Sequence, residues 1–222
     1  MKEIVDLTFE MENGMTTFDA SWHIPFSVKQ LGSINVEGRE TRMVTMGTHA
    51  GTHIDSPLHF VENGSSIDKI PLDKLMGEVA IVDFSFLDKG KAITREMLIE
   101  VPISSKMIFK FGWGRFWKTD EYYKRYPFFS AEAAEYLLSK KIELLAMDTP
   151  SPDDSGIKLE NEILGGDKDS PIHKMFLRNG VILIEYLANL EKVIDYDGWS
   201  IVAMPLKIKG ADGAPARVCI YR

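Results

Sequence analysis

The stretch THAGTHIDSPLHF, residues 48–60, constrains this chain more than any other. It carries three of the five histidines, His49, His53 and His59, with Asp55 among them. A strand sends successive side chains to opposite faces. In extended form His49, His53 and Asp55, all at odd positions, therefore share one face, and Ile54 and Leu58 take the other. A helix would also pair His49 with His53, at i and i+4. Gly51, Thr52 and Pro57 argue against it: proline drives Ser56 toward extended backbone, and glycine and threonine are weak helix formers. Two imidazoles and a carboxylate converging from a strand end or a tight loop suit a divalent transition metal with positions left open for water. The competing reading, unrelated histidines in a polar loop, fits a lone histidine better than this cluster.

The segment HAGTHIDSPLHF meets every fixed position of the signature H-x-G-T-H-x-D-x-P-x-H-F, and so resembles the cyclase family. That family includes the metal-dependent bacterial kynurenine formamidases (arylformamidases) and the isatin hydrolases. The resemblance covers most of the chain. It implies the family's swivelling β/β/α fold, a homodimer or larger homo-oligomer, and hydrolysis of a small aryl amide such as N-formylkynurenine.

Composition agrees with an ordinary soluble globular protein. The 222 residues are 45% hydrophobic and 27% charged, long enough for a sizeable core. A net charge of −7 argues against nucleic acid or an anionic membrane as partner. The single cysteine, Cys219, lies in an apolar run and reads as a small core residue. The N-terminus has no signal-peptide pattern and no segment reaches the ~20 apolar residues of a membrane helix, so a cytoplasmic protein is expected.

Strands and helices are interspersed, which predicts a mixed-sheet α/β domain spanning residues 1–222. Strands are expected at 4–9, 26–36, 39–46, 78–84, 107–113, 142–147, 181–184, 200–208 and 216–221. Short helices are expected after Pro71 and Thr94, a longer one capped by Ser130, and another with Ser170 as cap and Pro171 at its first position. Phe18 and Trp22 lie in an irregular N-terminal loop. Either is a candidate for packing against substrate, as the resemblance implies for an aromatic from this region; His23 reads as a loop residue. The aromatics of Trp113 to Trp117 suggest a pocket rim or a subunit contact. Asp148 ends a buried strand, where α/β proteins place site residues, but bonding to its own turn is the favoured reading.

Glu185 is a charge closing the apolar run 181–184, and a buried lone carboxylate is costly unless paired or bound to a cation. His173 precedes it by twelve residues, the spacing of a second metal site in the dinuclear relatives; the alternative is a structural histidine and a salt-bridged glutamate. The resemblance implies one metal on His49, His53 and Asp55, with Asp55 bridging to a second on His173 and Glu185. It leaves His59 as the proton shuttle. Zinc is the first expectation, with manganese also suited to such ligands. Isatin hydrolase-like chemistry on a cyclic amide is the alternative, and a metal-stabilised binding protein without catalysis is the reading from another class.

Overall fold

Apolar runs such as LLAM and VILI are buried on both faces when they form central, parallel strands, and they do so here. The computed structural model describes residues 3–20, 22–156 and 168–222. In chain order its strands are β1 (Ile4–Asp6), β2 (Ser27–Gly32), β3 (Thr41–Thr45), β4 (His53–Asp55), β5 (Met76–Glu78), β6 (Ala80–Asp83), β7 (Ala92–Ile93), β8 (Lys106–Lys110), β9 (Phe128–Phe129), β10 (Leu144–Met147), β11 (Ile182–Glu185), β12 (Ser200–Pro205) and β13 (Gly213–Tyr221). The helices are α1 (Ile34–Glu37), α2 (Leu72–Leu75), α3 (Arg95–Leu98), α4 (Ala131–Ser139) and α5 (Pro171–Arg178).

The main sheet is mixed and runs β5-β12-β13-β4-β11-β10-β8-β6, with β1 also paired to β13. Strands β6, β8, β10 and β11 are parallel, whereas β4 lies antiparallel between β11 and β13. The short β4 thus joins a parallel half to an antiparallel half. The two outer strands of this order, β5 and β6, are separated in sequence only by Val79. One residue spans only ~3.5 Å, so the edges must come together and the sheet curls nearly closed. This also corrects the single strand expected over 78–84: the chain stays extended but changes partners at Val79.

Alternation along the strands fills both sides. Ile54, Ile108, Leu144, Ala146, Ile182 and Ile184 join one core; Met107, Phe109, Leu145, Met147 and Leu183 join the other, beneath α4 and α5. Ser130 caps α4, its side chain accepting from Ala133 N, and Ala133, Ala134 and Leu137 are its buried stripe. Among the described residues no helix is long and apolar enough to cross a membrane.

Several expectations need correction. The strand expected over 26–36 stops at Gly32, and the helical turn α1 precedes Gly38, whose φ of 68° reverses the chain. The strand expected over 107–113 ends at Lys110; Trp113 is buried in the core and Trp117 stacks on Phe9 at 4.3 Å, and residues 113–117 are not among those that line the cavity described below, so the pocket-rim expectation is corrected. Cys219 is only half-buried.

Candidate active site and metal centre

The site lies where β4 meets β11, so its geometry starts with strand register. His53 pairs directly with Glu185, and Asp55 with Leu183. His53 and Asp55 therefore project to the α5 side while Ile54 points into the opposite core, as period-two alternation requires. His49 is not on the strand. It reaches the cluster from a turn in which Gly51 has φ 61°, a left-handed conformation that glycine accepts without strain. His59 comes from the short 3-10 helix Pro57–His59.

Five side chains converge. Asp55 Oδ1 lies 2.7 Å from His49 Nδ1 and 3.2 Å from His53 Nε2. Glu185 Oε2 is 3.4 Å from His53 Nε2, and Glu185 Oε1 is 3.0 Å from His173 Nε2. His173 Nε2 also stands 3.5 Å from Asp55 Oδ2. Each imidazole is held by its other nitrogen: His53 Nδ1 donates to Gly51 O at 2.7 Å, His173 Nδ1 bonds Asp153 Oδ2 at 2.5 Å, and His49 Nε2 bonds Asp212 Oδ2 at 2.8 Å. Imidazoles that bind metals are normally oriented by such outer partners.

The electrostatics explain how so much charge is buried. Burial disfavours the His53 cation, yet Asp55 and Glu185 outweigh it and push the pKa up to about 10. Burial works the same way at His173, where Glu185, Asp153 and Asp55 raise the pKa well above the usual value. Asp55 is held well below the carboxylate range: burial opposes ionisation, but His49, His53 and His173 win. Without a cation the imidazoles carry the neutralising protons, and metal binding would displace them.

The donor set fits a metal on one observation above all. Asp55 Oδ2 and Glu185 Oε1 are both buried and neither takes part in a hydrogen bond. Glu185 Oε1 is within ion-pair distance of His173, but without hydrogen-bond alignment. Buried carboxylate oxygens left in this way are expensive unless a cation meets them. Among the described residues two groups have donor atoms mutually within 4.8 Å: His53, Asp55 and Glu185, and His49, Asp55 and His59. These groups cut across the division implied by the resemblance, though Asp55 is common to both. His59, expected as a shuttle, is also within ligand distance.

The cluster floors a cavity of 770 Å³. Phe18, Trp22, Phe60, Tyr123 and Tyr126 line it, and both candidate aromatics from the N-terminal loop are present. His23 lines it too, its ring 6.2 Å from that of His49; burial and the neighbouring His49, His53 and His59 lower its pKa. Asp148 does not reach the cavity. Its carboxylate accepts from Phe111 N and Trp113 N, each at 2.8 Å, and ties the end of β8 to β10.

Three residues escaped the sequence reading. Asp153 accepts from the backbone N–H groups of Ile172 and His173 and so caps α5 in place of Ser170, which sits at φ 51° and makes no capping bond. Asp212 bonds both His49 and His59, and Tyr186, at φ 58° directly after Glu185, has its ring 5.3 Å from His53. The two acids lie in proline- and glycine-rich turns (TPSPD and ADGAP), where an acid reads as ordinary turn chemistry.

A curled mixed sheet with a histidine–carboxylate centre at the junction of its halves defines the class: an α/β scaffold built around a metal-type site. Within that class the chain belongs to the family described as "Putative cyclase", whose model matches residues 5–154. It is 29% identical over 223 residues to a kynurenine formamidase of Bacillus thuringiensis subsp. konkukian, covering 98% of this chain and 97% of the relative. A solved structure described as a predicted metal-dependent hydrolase from Bacillus stearothermophilus is 27% identical, with TM-score 0.73 over 100% of this chain and 98% of that one. Isatin hydrolase A from Labrenzia aggregata shares the fold at TM-score 0.84 and 23% identity, over 99% and 93% of the two chains.

Proposed function

We propose that this protein is a metal-dependent amidohydrolase that cleaves a small aryl amide, in the manner of a kynurenine formamidase releasing kynurenine and formate from N-formylkynurenine. The observation that carries the reading is the pair of unbonded buried oxygens, Asp55 Oδ2 and Glu185 Oε1, facing imidazoles on the floor of an aromatic-walled cavity. His49, His53 and Asp55 are the residues we assign to one ion, and His173 and Glu185, with Asp55 shared, to a second. A divalent cation supplies Lewis-acid polarisation of the scissile carbonyl and lowers the pKa of water toward neutrality. Zinc is our first choice of metal and manganese the alternative.

The protein's own groups supply the rest. Phe18 or Trp22, with Tyr123 and Tyr126, offers flat apolar walls for an aryl ring. His59 is half-buried at the cavity edge, its ring 4.0 Å from that of His49 and 6.1 Å from that of His173. From there it hands a proton to the departing amine as the C–N bond breaks. We read residues 1–222 as one such domain, cytoplasmic, and assembled as a homodimer or larger homo-oligomer. The β2–β3 hairpin, a sheet separate from the main one with α1 at its turn, gives that assembly a surface: Leu31, Ile34, Val36, Met43 and Val44 are all exposed there.

The test is a panel of linear aryl formamides and cyclic amides, assayed with zinc-loaded, manganese-loaded and chelator-stripped protein. Turnover of the formamide that needs metal is the expected result. Preference for the cyclic amide would move the assignment to isatin hydrolase-like chemistry. Full metal content with no turnover of either class would leave a metal-stabilised binding protein.

A further inference from the structure

Asp212 lies far along the chain from the histidine stretch, in the turn that leads into β13. Its backbone carbonyl accepts from Ser56 N at 2.9 Å and Ser56 Oγ at 2.8 Å. Its Oδ1 accepts from Thr48 Oγ1 at 3.0 Å. Those contacts suffice to pin the turn against residues 48–56. Oδ2 does something different, because it stands between two imidazoles, 2.8 Å from His49 Nε2 and 3.1 Å from His59 Nδ1.

An ionised carboxylate oxygen only accepts, so both ring nitrogens facing it must carry protons. With a cation taking the Asp55 side of His49, and for the neutral His59 ring, that selects one tautomer for each. His49 Nε2–H leaves Nδ1, the nitrogen facing Asp55, as the one able to ligate. His59 Nδ1–H leaves Nε2 with the lone pair. The close fit is enforced by Gly213, where a Cβ would come within 2.7 Å of Ile54 O and 2.8 Å of His49 Cε1. The turn bearing Asp212 therefore presses directly on the His49 ring. Nothing in the 48–60 signature supplies this carboxylate, and it lies outside the segment matched by the family model.

We propose that Asp212 is a positioning residue, one carboxylate oxygen that fixes the ring orientation and tautomer of both His49 and His59 and so keeps His59 Nε2 ready to exchange protons with substrate. The proposal rests on the metal-dependent hydrolase reading for its catalytic consequence, while the ring orientations follow from the contacts of Asp212 Oδ2. Carboxylates that orient metal-binding or proton-transferring imidazoles typically contribute ~10–100-fold to activity or affinity.

The experiment uses the zinc-loaded full chain labelled with 15N-histidine, in wild type, Asp212→Asn and Asp212→Glu. Long-range 1H–15N correlation spectra report which nitrogen of each of the five rings carries the proton. Expected are Nδ1–H at His59 in wild type, and loss of that single tautomer in Asp212→Asn with zinc stoichiometry unchanged. Turnover number should fall ~10–100-fold in the same variant, with little change in KM. Asp212→Glu should restore the tautomer and much of the rate, which a merely structural clamp through the backbone carbonyl would not require. Nε2–H at His59 in wild type overturns the proposal without any variant. So does an Asp212→Asn protein with unchanged spectrum and rate, or one that loses its zinc, since Asp212 would then be a bystander or a ligand. If wild type turns over no amide, the hydrolase reading fails by itself, and the ring spectra still decide the role of Asp212.

Discussion

Strands β10 and β11 lie side by side and parallel, and each ends in a buried acid, Asp148 after Met147 and Glu185 after Ile184. Written as sequence the two look alike. Both Asp148 oxygens accept backbone N–H groups, from Phe111 and Trp113, and burial pushes its pKa up to about 6 despite those bonds. Glu185 instead faces His53 across the β4–β11 pair and His173 from α5, and its Oε1 makes no hydrogen bond. The difference is the partner: a satisfied buried carboxylate is structural, while one left open beside imidazoles is a place for a cation.

The largest expected effect sharpens the chemical side of this contrast. His59→Asn should lower turnover by ~10²–10⁴-fold on an amide substrate while metal content stays at the wild-type value. Steady-state kinetics and elemental analysis on one preparation check it; lost metal would make His59 a ligand, as its place beside His49 and Asp55 also permits.

Next comes Glu185→Gln, which keeps shape and removes charge. One metal equivalent should disappear, because the charge that a cation would meet is gone. An unchanged metal count would erase the distinction between the two acids.

The same neutralisation one strand over should do the opposite. Asp148→Asn sets an amide NH₂ against one of the two backbone donors, so stability should fall by roughly 1–3 kcal/mol with metal content unaltered. Denaturant unfolding of the metal-free variants measures this, and a metal loss comparable to that of Glu185→Gln would break the comparison.

The smallest effect is in pH. The folded pKa of Asp148, about 6, lies above its ordinary 3.8, so the folded state holds that proton more tightly. This contribution is complete below about pH 4 and is lost as pH rises through 6. Wild type should therefore lose stability relative to Asp148→Asn across that interval, and parallel curves for the two proteins would show that Asp148 is ionised throughout.

Sequence alone determined the elements whose signals are local. The signature at residues 48–60 named the histidine cluster, the apolar runs placed β10 and β11, and Ser130 marked the start of α4. Alternation put His53 and Asp55 on one face because the period of a strand is a property of the backbone. Only the folded chain decided what those residues meet. Val79 changes partner because the sheet curls its edges together, which no window of sequence contains. Asp153 replaces Ser170 as the cap of α5, and Asp212 reaches His49 and His59, because turns remote in the chain pack against them. Those contacts depend on distances across the sheet, and a hydrogen bond between residues more than 150 positions apart leaves no periodic trace in the sequence that forms it.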